Sequence, residues 1–182
     1  CPLLPLFLPS IKGAGVMKTL YFIRHGKAED KVPGQSDFDR NLATKGKQDA
    51  QIMGKKQRIQ GLQPDLILSS PAPRALNTAK AFAEALSYNE EQVQTADQLY
   101  EASYEQILEQ IYALENTLNT VMIFGHNPAI SEVVIELSRE KADILPTAGI
   151  ACFEFDIDQW EAVSRENARF ASQDFPAKGI SG

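Results

Sequence analysis

Arg24-His25-Gly26, Ser69-Ser70-Pro71 and Gly125-His126-Asn127-Pro128 each stand directly after a short apolar run, and the chain holds no histidine besides these two. Arg74 follows the middle triplet closely. Neutral imidazole is a good nucleophile near pH 7, where much of it is unprotonated. A guanidinium offers a planar fork of donors that matches phosphate geometry and never loses its charge. A second, protonated histidine can donate to a nonbridging oxygen and stabilise charge in the transition state. The chemistry this set could do together is the transfer of a phosphoryl group, which needs positive donors around three oxygens and an in-line nucleophile.

Each element alone has an ordinary explanation. A histidine can end a strand for structural reasons, and an arginine in a first helical turn is commonly solvated. Pro71 and Pro128 suit helix starts, and Gly26 and Gly125 suit turns. Their convergence after three separate apolar runs is what points to one anion pocket. Zinc is a poor alternative, because a catalytic site needs about three protein ligands and no HExxH or CxxC spacing supplies them. Flanking arginines would also repel a cation. No Gly-rich loop ending in GKT or GKS is present, so nucleotide triphosphate hydrolysis has no support. No metal and no organic cofactor is expected.

The elements that must position these residues can be read from periodicity. Leu20–Ile23, Leu66–Leu68, Val121–Phe124 and Ala151–Phe155 read as buried strands. Between them Ala75, Leu76, Ala79, Phe82, Ala83 and Leu86 share a helical face, as do Ile107, Leu108, Ile111 and Leu118, and Ile130, Val133, Val134 and Leu137. A weaker helical period follows Thr44 through Ala50, Met53 and Gln57, with Gly61 able to stop it. Such alternation predicts an α/β fold, a three-layer α/β/α sandwich with a mainly parallel central sheet. Ligands of such sheets bind beyond the carboxyl ends of the strands, where all three triplets fall. Helix starts after Ser70 and Asn127 would add backbone N–H groups.

The 182 residues carry a formal net charge of −6, which argues against a nucleic-acid binder. An acidic chain that binds an anion must gather its positive charges where the ligand sits. Cys1 and Cys152 imply no disulfide framework, so a reducing, cytoplasmic setting is expected, with Cys152 in the core. Residues 1–16, CPLLPLFLPSIKGAGV, are apolar but lack a basic leading region and are broken by prolines. They read as a leader or cloning remnant, and 17–182 as a single domain with no membrane span.

FIRHGKAE, SSPAPRALNTA and FGHNP, in that order, resemble the histidine phosphatase superfamily. The RHGKAE form, followed by DRNLATKGKQDA, is similar to its phosphohistidine phosphatase (SixA-type) branch in particular. The resemblance runs from about Lys18 to the strand near Phe155. It implies a phosphoglycerate mutase-like fold, His25 as the nucleophile that carries the phosphoryl group, and Arg24, Arg74 and His126 as the rest of the phosphate pocket. It also implies Arg40 as a substrate-binding residue, although Asn41 follows where many relatives have proline. Asn127 is implied as a pocket neighbour, or as a cap of the helix that follows. Glu101 sits where many phosphomonoesterases of the superfamily place a general acid. The segment between Arg74 and His126 is short, which implies an open pocket and a phosphorylated protein, carrying phosphohistidine, as substrate. The rival readings are a phosphatase or mutase of small phosphate esters, such as sugar phosphates or nucleotides, and a non-catalytic module that binds a phospho-ligand.

Overall fold

The computed structural model describes residues 17–176. The expected leader, 1–16, and the last residues, 177–182, lie outside the described residues. The chain runs β1 (Lys18–Arg24), α1 (Thr44–Ile59), β2 (Leu66–Ser69), α2 (Pro73–Ala85), β3 (Gln94–Thr95), α3 (Tyr104–Tyr112), β4 (Thr120–Gly125), α4 (Ala129–Leu137), β5 (Ile150–Phe155) and β6 (Arg169–Asp174). The six strands form one sheet in the order β3-β2-β4-β1-β5-β6.

The apolar runs are continuous because both faces of the sheet are covered. Side chains alternate across it. Leu20, Phe22, Leu66, Leu68, Val121 and Ile123 face the layer holding α3 and α4, with Val133, Val134 and Ile107 against them. Ile23, Ile67, Met122 and Phe124 face the layer of α1 and α2, with Met53, Phe82 and Ala79 opposite. Phe82 meets Phe124 edge-on at 5.2 Å, a favoured aromatic geometry. Burying side chains of this size is worth about 1.5–3 kcal/mol each.

Four strands, β3, β2, β4 and β1, are mutually parallel, whereas β5 runs antiparallel to β1 and β6 antiparallel to β5. The apolar pattern of Ala151–Phe155 reports burial on both faces, which is blind to strand direction. Direction is set by the connection before it. The segment between α4 and β5 climbs back to the carboxyl end of β1, where the Ala148 N–H donates to the Arg24 and His25 carbonyls at 3.1 Å, so β5 must descend. Two strands escaped the sequence pattern: β3 has only two residues, and β6 is a polar, largely exposed edge. Helix α3 also stops at Tyr112, short of Leu118, which packs on the core from the loop beyond.

Helix α1 looked weak in sequence because it docks through glycines. A methyl group at Gly54 would lie 2.7 Å from Ala85 Cβ, so α1 and α2 meet at that point with no room between them. Gly46 lies against the loop after β1: a Cβ there would come within 2.8 Å of the Lys27 nitrogen and 2.6 Å of Leu42 Cδ1. Gly61, at φ +93°, ends the helix as its position suggested. Gly46→Ala should therefore push α1 away from the His25–Lys27 turn and cost about 1–3 kcal/mol. Urea denaturation of the variant checks this, and an unchanged midpoint would show that the contact yields without cost.

Candidate functional site

Parallel register brings the candidate residues together. Arg24 pairs with Gly125 across β1 and β4, and Ser69 with Phe124 across β2 and β4. His25 and His126 are thus the next residues of two adjacent strands at one level. Their rings stand 5.1 Å apart, close to the spacing of neighbouring strands. Ser70 emerges from the third strand beside them, and its hydroxyl lies 2.8 Å from His126 Nε2.

His25 is only 9% exposed. Its Nδ1 lies 2.7 Å from the Gly26 carbonyl, which can only accept, so Nδ1 carries the hydrogen and Nε2 keeps its lone pair. Burial pushes its pKa down to about 4, with Arg74, Arg24 and Arg40 acting the same way against the Gly26 bond. The ring is neutral near pH 7. Gly26 itself is anchored by its N–H to Thr78 Oγ1 at 2.9 Å, and Thr78 donates to the Arg74 carbonyl at 2.7 Å. One buried threonine on α2 therefore ties the His25 turn to Arg74.

His126 is neutral too: burial, then His25 and Arg74, bring its pKa to about 3, while Asp37 works in the opposite direction. The sequence reading expected a protonated second histidine. Burial, reinforced by the cationic neighbours, explains the difference. When the Ser70 hydroxyl, whose oxygen accepts the Ala72 N–H at 3.2 Å, donates its hydrogen to Nε2, neutral His126 is still a donor. Nδ1 then bears the ring hydrogen.

That Nδ1 and Arg24 Nε are the buried side-chain polar atoms without a hydrogen-bond partner among the described residues. Buried polar atoms left without a partner are rare and costly. Both belong to the same sheet edge. Arg24, whose burial lowers its pKa, is otherwise held through Nη1 by the Leu145 carbonyl at 3.3 Å.

Arg74 stands with this group, held by the Asp37 carbonyl at 2.7 Å and the Asp37 carboxylate at 2.9 Å. Arg40 lies further out, donating to the Glu29 carbonyl and to Asp37, yet close enough for its charge to act on His25. Both ends of the Asn127 amide are occupied within the protein: Nδ2 donates to the Leu145 carbonyl, and Oδ1 accepts from Ser131 in the first turn of α4. Glu101 is exposed at φ 53°, beside Tyr100, and makes no side-chain hydrogen bond among those described. Its charge reaches Tyr100, whose ring lies 5.4 Å from that of His126.

Sequence reasoning missed Asp37, Ser70 Oγ, Thr78 and Tyr100. Asp37 and Tyr100 sit in irregular segments without periodicity, and an acidic residue is not among the cationic types that mark an anion pocket. Among the described residues no group of three His, Cys, Asp or Glu side chains could hold a metal ion, and no helix is long and apolar enough to cross a membrane.

The family model of the histidine phosphatase superfamily (branch 1) matches residues 20–129. The structure is similar to one from Agrobacterium tumefaciens assigned as a phosphohistidine phosphatase SixA, with 30% identity and a TM-score of 0.73, over 88% of this chain and 99% of that one. It shares its fold with a protein histidine phosphatase SixA in complex with tungstate, at 24% identity and a TM-score of 0.74, over 87% and 97% of the two chains. An uncharacterized protein of a Picosynechococcus strain is 41% identical over 66 residues, which is 36% of this chain and 40% of that protein.

The buried imidazoles set a pH dependence. Between about 6.5 and about 4 the unfolded chain protonates His25 while the folded one resists. The unfolded state then binds more protons, so stability falls as pH is lowered through that window. Replacing His25 by glutamine should flatten this fall, read as the urea midpoint against pH. Parallel curves for the two proteins between pH 6.5 and 5 would contradict the burial argument.

Proposed function

The chain belongs to the histidine phosphatase superfamily, and on that premise we propose that it removes phosphoryl groups from phosphohistidine on a protein, through a phosphohistidine of its own at His25. The observation that carries the reading is the pair of buried, unpartnered nitrogens, Arg24 Nε and His126 Nδ1, among the described residues, beside an imidazole whose Nε2 lone pair is free. An anion with several oxygens answers both needs at once.

In the first step His25 Nε2 forms a bond to phosphorus as the bond from phosphorus to the substrate nitrogen breaks. Arg24, Arg74 and His126 donate to the nonbridging oxygens, and Arg40 adds positive potential from the rim. The phosphoryl dianion also supplies the countercharge that favours a proton on His126. In the second step water forms a bond to phosphorus as the bond from phosphorus to His25 Nε2 breaks, the water protons leave with the phosphate, and His25 is restored. Asn127 holds the loop that holds Arg24. No step requires a metal or organic cofactor. The protein substrate is supported by the likeness to the Agrobacterium structure and by the short segment between Arg74 and His126. The reducing cytoplasm fits the free, buried Cys152.

Glu101 supports a second reading, in which small phosphate esters are hydrolysed. An alkoxide leaving group needs a proton, and a carboxylic acid at the rim could give it. An imidazole can leave already protonated.

Incubation with phosphohistidine-bearing protein followed by rapid quench should trap phosphate on His25, and His25→Ala should abolish turnover by several orders of magnitude while remaining folded. Near-normal turnover by that variant would end the nucleophile assignment. Glu101→Gln is expected to leave phosphohistidine turnover nearly unchanged but slow alkyl phosphate esters about a hundredfold, less for nitrophenyl phosphate. An equal, large loss on phosphohistidine protein would favour the ester reading.

A further inference from the structure

Asp37 and Tyr100 are the contacts that decide where Arg74 points. The Arg74 side chain is 7% exposed, and Asp37 is the residue on which both of its terminal nitrogens donate. Nη1 meets the Asp37 carbonyl and Nη2 its carboxylate, which occupies the outer edge of the fork and leaves the Nε edge for another two-pronged contact. The hydroxyl of Tyr100 donates to the same carboxylate oxygen at 3.0 Å. The Tyr100 ring is itself fixed, edge-on to Phe38 at 5.0 Å and to His126 at 5.4 Å, with the Arg74 guanidinium 6.0 Å from its centre. One carboxylate and one phenol thus span the two irregular segments that flank the site.

We propose that Asp37 and Tyr100 form a strut that presents the Arg74 guanidinium to the phosphoryl group, and so act as positioning residues for its transfer. The inference rests on the phosphatase reading above. Without the strut, the charge of Arg24 and Arg40 would favour an Arg74 side chain turned outward to solvent. The carboxylate offsets that repulsion before substrate arrives. Once an anion sits on the Nε edge, the same carboxylate repels it across the guanidinium. Asp37 therefore lowers the affinity of the pocket for a bare anion while it keeps the arginine aligned for the reaction. A residue that merely stabilised the fold would affect both properties in the same direction.

The test uses Asp37→Asn, Tyr100→Phe and the double variant, with nitrophenyl phosphate and phosphohistidine protein as substrates and inorganic phosphate as inhibitor. Asp37→Asn should lower kcat about tenfold or more while its inhibition constant for phosphate stays level or falls. Tyr100→Phe keeps the ring and should lower kcat a few-fold. Because both act through one group, the double variant should be within about twofold of Asp37→Asn. Unchanged kcat in Asp37→Asn, a kcat loss matched by weaker phosphate binding, or multiplicative losses in the double variant would each overturn the strut. Wild-type turnover of the ester without phosphohistidine turnover would overturn the substrate reading alone, with the variants still scored on the ester. A wild type inactive on both would overturn both.

Discussion

Desolvation of ionisable groups gathered beside positive charge is the constraint from which the site follows. Arg24, Arg74 and Arg40 stand near two imidazoles at the end of one sheet, and every pair of like charges resists desolvation. The fold answers with three kinds of relief. Both imidazoles give up their protons, so only the guanidiniums remain charged. Backbone carbonyls at Leu145 and Asp37 take guanidinium hydrogens without adding net charge. A single carboxylate supplies the balance. Burial acts upward on Asp37, but the Tyr100 hydroxyl and the Arg74 and Arg40 contacts outweigh it and hold the carboxyl below its usual value. A chain of net charge −6 thereby keeps a positive pocket in a negative molecule.

The parallel half of the sheet supplies the precision. Adjacent parallel strands place equivalent residues one strand spacing apart, so two histidines that each follow a strand must become neighbours. No loop has to find them. The loops instead bring what the strands cannot: Asp37 and Arg40 from the turn after β1, Tyr100 from the segment before α3, and the Leu145 carbonyl from the return to β5.

This division explains what the sequence disclosed. Arg24, His25 and His126 were legible because each follows an apolar run whose burial is written in consecutive residues. Arg74 was legible through the helix it opens. The layers and the parallel core of the sheet followed from the same runs. The direction of β5 was not legible, since apolar residues record burial and not polarity of the chain. Strand β6 was missed because its residues, Arg169–Asp174, are half exposed and carry no two-residue period. Helix α1 was underestimated because Gly46 and Gly54 bury backbone where other helices bury side chains. Asp37 and Tyr100 lie far apart in the chain, and nothing local in either segment announces that they share a hydrogen bond.

Leu145 is where these two kinds of information overlap. Its side chain is fully buried in the core under α4, while its carbonyl receives both Arg24 and Asn127 and its N–H donates to Ser131. The height of that carbonyl above the sheet is therefore set by how well an aliphatic side chain fills its hole. Trimming the side chain would loosen the grip on Arg24 without removing any polar group. In a mutational screen scored by turnover, position 145 would read as part of the chemistry, although the leucine has no functional group to contribute. Selection for catalysis in this molecule reaches into the hydrocarbon interior at that point.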